Sequence, residues 1–182
     1  MRALSVSDID KSIKKLIYPA DYTEEEFLDG VKLIEVKNIP AEEGDFAEIL
    51  RIKKGMLESI KGFRLAQINR TTLVPGSVKA WHLHYRQDEI WYVSPQDHLL
   101  AGLWDVRKKS PTSGKTMRIV LGAGISRMLF IPHGVAHGSA IFANKPVELY
   151  VFVNKQFNIT HHDEKRIPWD SLGKEFWRPK RD

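Results

Sequence analysis

Two short segments hold three histidines in positions where they could act together. In the stretch Gly76-Ser77-Val78-Lys79-Ala80-Trp81-His82-Leu83-His84-Tyr85-Arg86-Gln87-Asp88-Glu89, the imidazoles of His82 and His84 stand two residues apart. On a strand that spacing projects both to one side, while Trp81, Leu83 and Tyr85 project to the other. The second segment, Ile131-Pro132-His133-Gly134-Val135-Ala136-His137-Gly138, ends an apolar run. Its Pro-x-Gly marks a tight turn that re-aims the chain so that His137 can face the interior. Neutral histidine is a natural general base, with an ordinary pKa near ~6.5 and a typical contribution of ~10² to 10⁴ in rate. A His-x-His pair is equally satisfied by polar neighbours alone. His82 needs a metal, a polar partner or a substrate for its two nitrogens.

The elements that must position these residues are short. From Val31 onward, runs rich in Val, Ile, Phe, Trp and Tyr are separated by Gly, Pro and Asn: Val31 to Val36, Arg64 to Arg70, Ile90 to Val93, Leu99 to Val106, Arg127 to Ile131 and Val147 to Val153. That pattern predicts an all-β sandwich or barrel rather than alternating strands and helices. Residues 1–30 read differently, as a helical extension. Ser7 and Asp8 can cap a helix over Ile9 to Leu16, and Thr23 with Glu26 makes a capping box before Phe27. At the other end, Ile167 to Gly173 reads as a turn, and Arg178 to Asp182 as a frayed tail.

With 182 residues, the chain fits one domain, read as the 1–30 extension followed by a single unit over 31–182. Its 42% hydrophobic and 28% charged residues are ordinary for a globular protein, and no apolar run approaches a membrane span. The N-terminal residues lack the continuous apolar core of a secretory signal, so a cytoplasmic location is expected. Having no cysteine, the chain has no disulfide and no thiolate metal site. The net charge of +5 is spread along the chain, which suits a solvated basic surface or a site for an anionic small molecule. Neither a basic stripe with exposed aromatics nor a nucleic-acid-binding motif is present, so no nucleic-acid partner is expected.

Together the two histidine segments resemble the paired motifs of the cupin superfamily. G-x5-H-x-H-x4-E is met by Gly76, His82, His84 and Glu89, and P-x-G-x2-H by Pro132, Gly134 and His137; the closing glycine of the first motif is replaced by Gln96. A narrower resemblance, over roughly residues 44–177, is to the dTDP-4-dehydrorhamnose 3,5-epimerase family. Its elements stand here as Gly44-Asp45-Phe46-Ala47-Glu48, Gln67-Ile68-Asn69, Leu83-His84-Tyr85, Asp105-Val106-Arg107 with Ser110-Pro111-Thr112-Ser113-Gly114, and Ile131 to Gly138.

This resemblance implies a cupin double-stranded β-helix, or jelly-roll barrel, with short peripheral helices at both termini, working as a homodimer without a cofactor. It implies an isomerase acting at C3, C5 or both of a dTDP-4-keto-6-deoxyhexose. The 4-ketone acidifies the neighbouring hydrogens, a base removes one, and an acid returns it on the opposite face. His84 takes the family's base position, Asp170 is the closest match to the aspartate that orients it, and Tyr150 matches one tyrosine of the acid pattern. Gln67, Asn69, Arg70, Lys79, His82, Arg107 and His137 are the candidates for holding substrate.

Departures from the family open other readings. Trp81 and His82 stand where the family has arginine and glycine, and Trp91 replaces a lysine that helps stabilise the enolate. The second acid tyrosine is missing, so Lys155, Tyr85 or Tyr92 must substitute or one epimerisation is lost. His82, His84, Glu89 and His137 also match the three-histidine, one-carboxylate set with which many cupins bind a divalent transition metal. A catalytically inactive sugar-binding cupin is the third reading.

Overall fold

The computed structural model describes residues 2–20 and 26–180. In chain order its strands are β1 (Lys32–Glu35), β2 (Asn38–Ala41), β3 (Gly44–Ala47), β4 (Ile52–Lys53), β5 (Met56–Leu57), β6 (Gln67–Leu73), β7 (Val78–His84), β8 (Glu89–Val93), β9 (His98–Asp105), β10 (Thr116–Gly122), β11 (Arg127–Ile131), β12 (Val135–Ala140), β13 (Val147–Val153) and β14 (Glu164–Arg166). The long strands form two five-stranded antiparallel sheets, ordered β1-β11-β8-β13-β6 and β10-β9-β12-β7-β14. This is the expected jelly-roll arrangement. The predicted strand at Arg64 begins at Gln67 instead, because Leu65 donates its N–H to the Gly55 carbonyl in the β4–β5 hairpin.

Alternation along the strands sorts the side chains. Inward residues of both sheets, among them Val93, Leu99, Leu103, Leu121, Leu129 and Ile131, form one buried cluster. This apolar burial is the main favourable term in such a fold. The outer face of the second sheet is covered by the C-terminal segment, where Trp81 is fully buried and its ring centroid lies 4.7 Å from that of Trp177 and 5.1 Å from that of Phe176. Truncating an aromatic of this kind typically costs about 3–5 kcal/mol. The contact therefore clamps the back of β7 while His82 and His84 face the interior.

The N-terminal expectation needs correction. A 3-10 turn at Val6–Asp8 precedes a single helical turn, α1 (Lys11–Lys14), and the cap is Asp10, which accepts a hydrogen bond from the Ser12 N–H at 2.8 Å. Neither turn buries a residue, so nothing extends the helix to Leu16 against the cost of ordering it. Thr23, the N-cap of the expected capping box with Glu26, is among residues 21–25, outside the described residues.

Candidate functional site

At one end of the barrel the inward residues change from apolar to polar and leave a cavity of about 350 Å³. Its first wall is Gln67, Asn69 and Thr71 of β6 with Leu149, Val151 and Val153 of β13; its second is Lys79, His82 and His84 of β7 with His137 and Ser139 of β12. Glu89 and Trp91 of β8 also line it. Residues 154–163, which connect β13 to β14, cross the mouth.

Strict alternation would put Lys79 and His82 on opposite faces. They share the cavity because His137 pairs with His82 whereas Ser139 pairs with Lys79, so β7 carries one extra residue as a bulge. Glycine at 138 is required there, since a Cβ would lie 2.3 Å from the Ala80 Cβ. The predicted turn at Pro132 to Gly134 is also present. Gly134 adopts φ +80°, open mainly to glycine, and donates its N–H to the His84 carbonyl at 2.8 Å.

Glu89 is the centre of the histidine wall. Gln87 Nε2 donates to its Oε1 at 2.9 Å, Trp91 Nε1 donates to its Oε2 at 2.7 Å, and the Nε2 atoms of His84 and His137 lie 3.1 Å from Oε1 and 3.3 Å from Oε2. Burial opposes ionisation, yet the two imidazoles outweigh it and hold Glu89 well below the ordinary carboxylate range. His137 shows the reciprocal effect. Burial disfavours its charge, but Glu89 raises its pKa above the ordinary value. Its Nδ1 also donates to the Val135 carbonyl at 3.1 Å, so both ring nitrogens face acceptors, as an imidazolium requires.

His82 and His84 are held differently. His82 Nε2 accepts from Arg166 Nη1 at 2.7 Å, while its Nδ1 lies 3.0 Å from Glu164 Oε1. Arginine only donates, so the ring is neutral with its proton on Nδ1. Burial, then the positive charges of His137 and Arg166, hold its pKa down at about 3. His84 presents Nε2 to a carboxylate, which places its proton there and leaves the lone pair on Nδ1. That nitrogen is buried without a hydrogen-bond partner, and Asp163 Oδ2 is 4.0 Å away. Asp163 stays ionised because, against burial, it accepts from the backbone N–H groups of Arg86 at 2.8 Å and Gln87 at 2.9 Å.

The structure brings together His82, His84, His137, Gln67, Asn69 and Lys79, and it separates the other candidates from them. Arg70 alternates with Asn69 on β6, so it faces outward and pairs with Glu148. Tyr150 pairs with Arg70 across β6 and β13 and donates its hydroxyl to Glu148 Oε2 at 2.9 Å, outside the cavity. Arg107 is corrected to a structural role. It donates through Nε at 2.9 Å and Nη2 at 2.8 Å to fully buried Asp105, and through Nη2 to the Asp29 carbonyl at 2.6 Å. Asp170 sits exposed in a turn, where its carbonyl accepts from Gly173, and the carboxylate beside His84 is that of Asp163.

Of the substitute acids, Tyr85 is 59% exposed and Tyr92 packs in the outer cluster with Phe63 and Phe152, whereas Lys155 lines the cavity. Among the tryptophans only Trp91 reaches it. Of the four candidate metal ligands, His84, Glu89 and His137 offer one atom each within 4.8 Å of one another, while His82 is occupied by Glu164 and Arg166. Sequence reasoning missed Asp163, Glu164 and Arg166. They reach the site because β14 pairs with β7, setting Glu164 opposite His84 and Arg166 opposite His82.

Comparison with known proteins gives a consistent result. The family profile described as dTDP-4-dehydrorhamnose 3,5-epimerase matches residues 25–176. Over 143 residues the chain is 35% identical to the spore coat polysaccharide biosynthesis protein SpsL of Bacillus subtilis, covering 79% of this chain and 91% of that protein. Over 96 residues it is 31% identical to a protein of Haloferax volcanii described as a low-salt glycan biosynthesis epimerase, covering 53% of this chain and 62% of that one. A crystal structure of a dTDP sugar isomerase from Desulfovibrio desulfuricans superposes with a TM-score of 0.70 at 27% identity, covering 84% of this chain and 91% of that chain.

Proposed function

Since the chain belongs to the dTDP-4-dehydrorhamnose 3,5-epimerase family, we propose that it is a nucleotide-sugar epimerase whose base is His84, acting at C3, C5 or both of a dTDP-4-keto-6-deoxyhexose. The observation that carries this reading is the placement of His84. Its ring lies between a carboxylate fixed on Nε2 and a second carboxylate 4.0 Å from Nδ1. Nδ1 is therefore the ring nitrogen whose lone pair is uncommitted, as a base that takes a proton from carbon requires. Glu89 orients the ring from Nε2, the role expected of Asp170, and Asp163 is the second carboxylate beside it. Because Nδ1 is buried, proton transfer requires the segment that carries Asp163 to shift when the sugar enters.

Substrate contacts fall to the polar cavity residues. Gln67 and Asn69 present amides from β6, and Lys79 adds a positive charge near Thr71, 3.3 Å from its hydroxyl. A cation here suits the diphosphate of a nucleotide sugar. No helix among the described residues is long and apolar enough to cross a membrane. The reading includes a cytoplasmic homodimer built on a single unit over 31–182, and the exposed Ile39 and Phe46 of the β2–β3 hairpin are apolar surface that a second copy would cover.

A second reading rests on the convergence of His84, Glu89 and His137. Two imidazoles and a carboxylate fit a divalent transition metal, which would polarise the ketone as a Lewis acid. The base reading needs no metal, and Glu89 already accepts from four donors. The test is incubation of purified protein with dTDP-4-keto-6-deoxyglucose, followed by NMR of the sugar. Formation of a C3 or C5 epimer supports the reading; a sugar that is bound but unchanged would favour the inactive binding module.

A further inference from the structure

The inversion proposed above needs an acid that delivers a proton from a structure other than the β7 wall, and we infer that this acid is His161. No tyrosine occurs among the described residues that line the cavity. On the histidine wall, His84 and His137 face Glu89, and His82 is taken by Glu164 and Arg166. Away from that wall, the Thr71 hydroxyl is a weak acid engaged by Lys79 and Arg86 does not release its proton, which leaves Lys155 and His161, both on the segment crossing the mouth. Before the sugar enters, two sets of contacts hold the segment. Phe157 donates its N–H to Gln67 Oε1 at 3.0 Å, and Asp163 accepts from the Arg86 and Gln87 amides at 2.8 and 2.9 Å.

The local hydrogen bonds fix which nitrogen of His161 is free. Thr160 donates its hydroxyl proton to Asn158 Oδ1 at 2.7 Å, and the same oxygen accepts from the backbone N–H groups of Thr160 at 2.9 Å and His161 at 3.1 Å. Asn158 Oδ1 has no proton to give, so the Thr160 hydroxyl is committed. The 2.9 Å contact between Thr160 Oγ1 and His161 Nδ1 must then be an Nδ1–H donation. Nε2 is left as the nitrogen that can load and release a proton. An imidazolium is also the stronger acid of the two side-chain types, and it is readily regenerated near neutral pH.

The step balances as follows. His84 takes the proton from the carbon beside the ketone, and the C–H electrons pass into an enolate. The Nε2–H bond of protonated His161 then breaks, its proton forms the new C–H bond on the opposite face, and the enolate electrons restore the ketone. His84 ends protonated and His161 neutral, and exchange with solvent resets both.

This assignment rests on the epimerase reading, and its test separates the two. His161→Gln and His161→Ala, together with Lys155→Ala, are assayed in D₂O for epimer formed and for deuterium in recovered substrate. In the His161 variants the expected loss of epimer formation is about 100-fold or more, in kcat rather than KM, while exchange into substrate persists through His84. Epimer formation at the wild-type rate in both His161 variants would overturn the assignment, as would a selective loss of inversion in Lys155→Ala alone. Absence of exchange and inversion in the wild type would instead defeat the epimerase reading itself.

Discussion

Asp105 and Glu89 are both buried carboxylates with donors at both oxygens, yet their partners differ in kind. Asp105 holds the Arg107 guanidinium and backbone N–H, the Thr112 hydroxyl at 2.6 Å and the Ser110 hydroxyl. Glu89 holds two imidazoles, an indole N–H and a side-chain amide. None of the first set changes protonation near neutral pH, so that cluster is a fixed fastening. It ties the 105–115 loop to Asp29 and lies outside the cavity. In the second set the imidazoles can exchange protons, and they line the cavity. On the proposed reading, Asp105 to Gly114 serves folding and the histidine segments serve chemistry.

The contrast predicts a division of mutational effects. His84→Asn should lower epimerisation by ~10² to 10⁴ while the urea unfolding midpoint stays near the wild-type value. At the other node, Asp105→Ala leaves the part-exposed Arg107 guanidinium mainly with Asp29 and removes the acceptor of the Ser110 and Thr112 hydroxyls, and a buried polar group left unsatisfied typically costs about 1–3 kcal/mol. The loss should appear as a lower urea midpoint. An Asp105 variant of unchanged stability but poor activity would erase the distinction.

The acid limb of stability sharpens it further. Burial raises the Asp105 pKa, but Arg107 and the hydroxyls outweigh that and leave it lowered. A depressed carboxylate contributes fully above its unfolded pKa, about 3.9, and the contribution is lost as pH falls through the lower folded value. Asp105→Asn should thus flatten the fall in stability below ~pH 4 relative to the wild type, measured by urea unfolding at stepped pH. Smaller effects are expected for residues the structure moves out of the site. Tyr150→Phe and Asp170→Asn should each change activity and stability by no more than about 0.5 kcal/mol, as surface substitutions do. Smallest of all, dialysis against a chelator should leave epimerisation unchanged; loss restored by a transition metal would favour the ion-binding reading.

How much of this was legible in the sequence depended on range. Period-two alternation correctly separated His82 and His84 from Trp81 and Leu83, because that pattern is local. The same rule, applied to adjacent Asn69 and Arg70, would have excluded Arg70 from the site. Lys79 escaped it through the bulge opposite Gly138, which a strand pattern does not announce. Strand β12, Val135–Ala140, has mostly small side chains and shows as buried only in the assembled sheet. Asp163, Glu164 and Arg166 lie some eighty positions from the histidines they touch, and only the β7–β14 pairing brings them there.

The account turns on proton removal by His84 from carbon next to a ketone. Its most direct test is to incubate wild-type protein and His84→Asn with a dTDP-4-keto-6-deoxyhexose in D₂O and to follow the C3 and C5 hydrogens by NMR. The account predicts deuterium at one or both carbons with the wild type and none above the buffer control with the variant. Equal incorporation by the two proteins would contradict it.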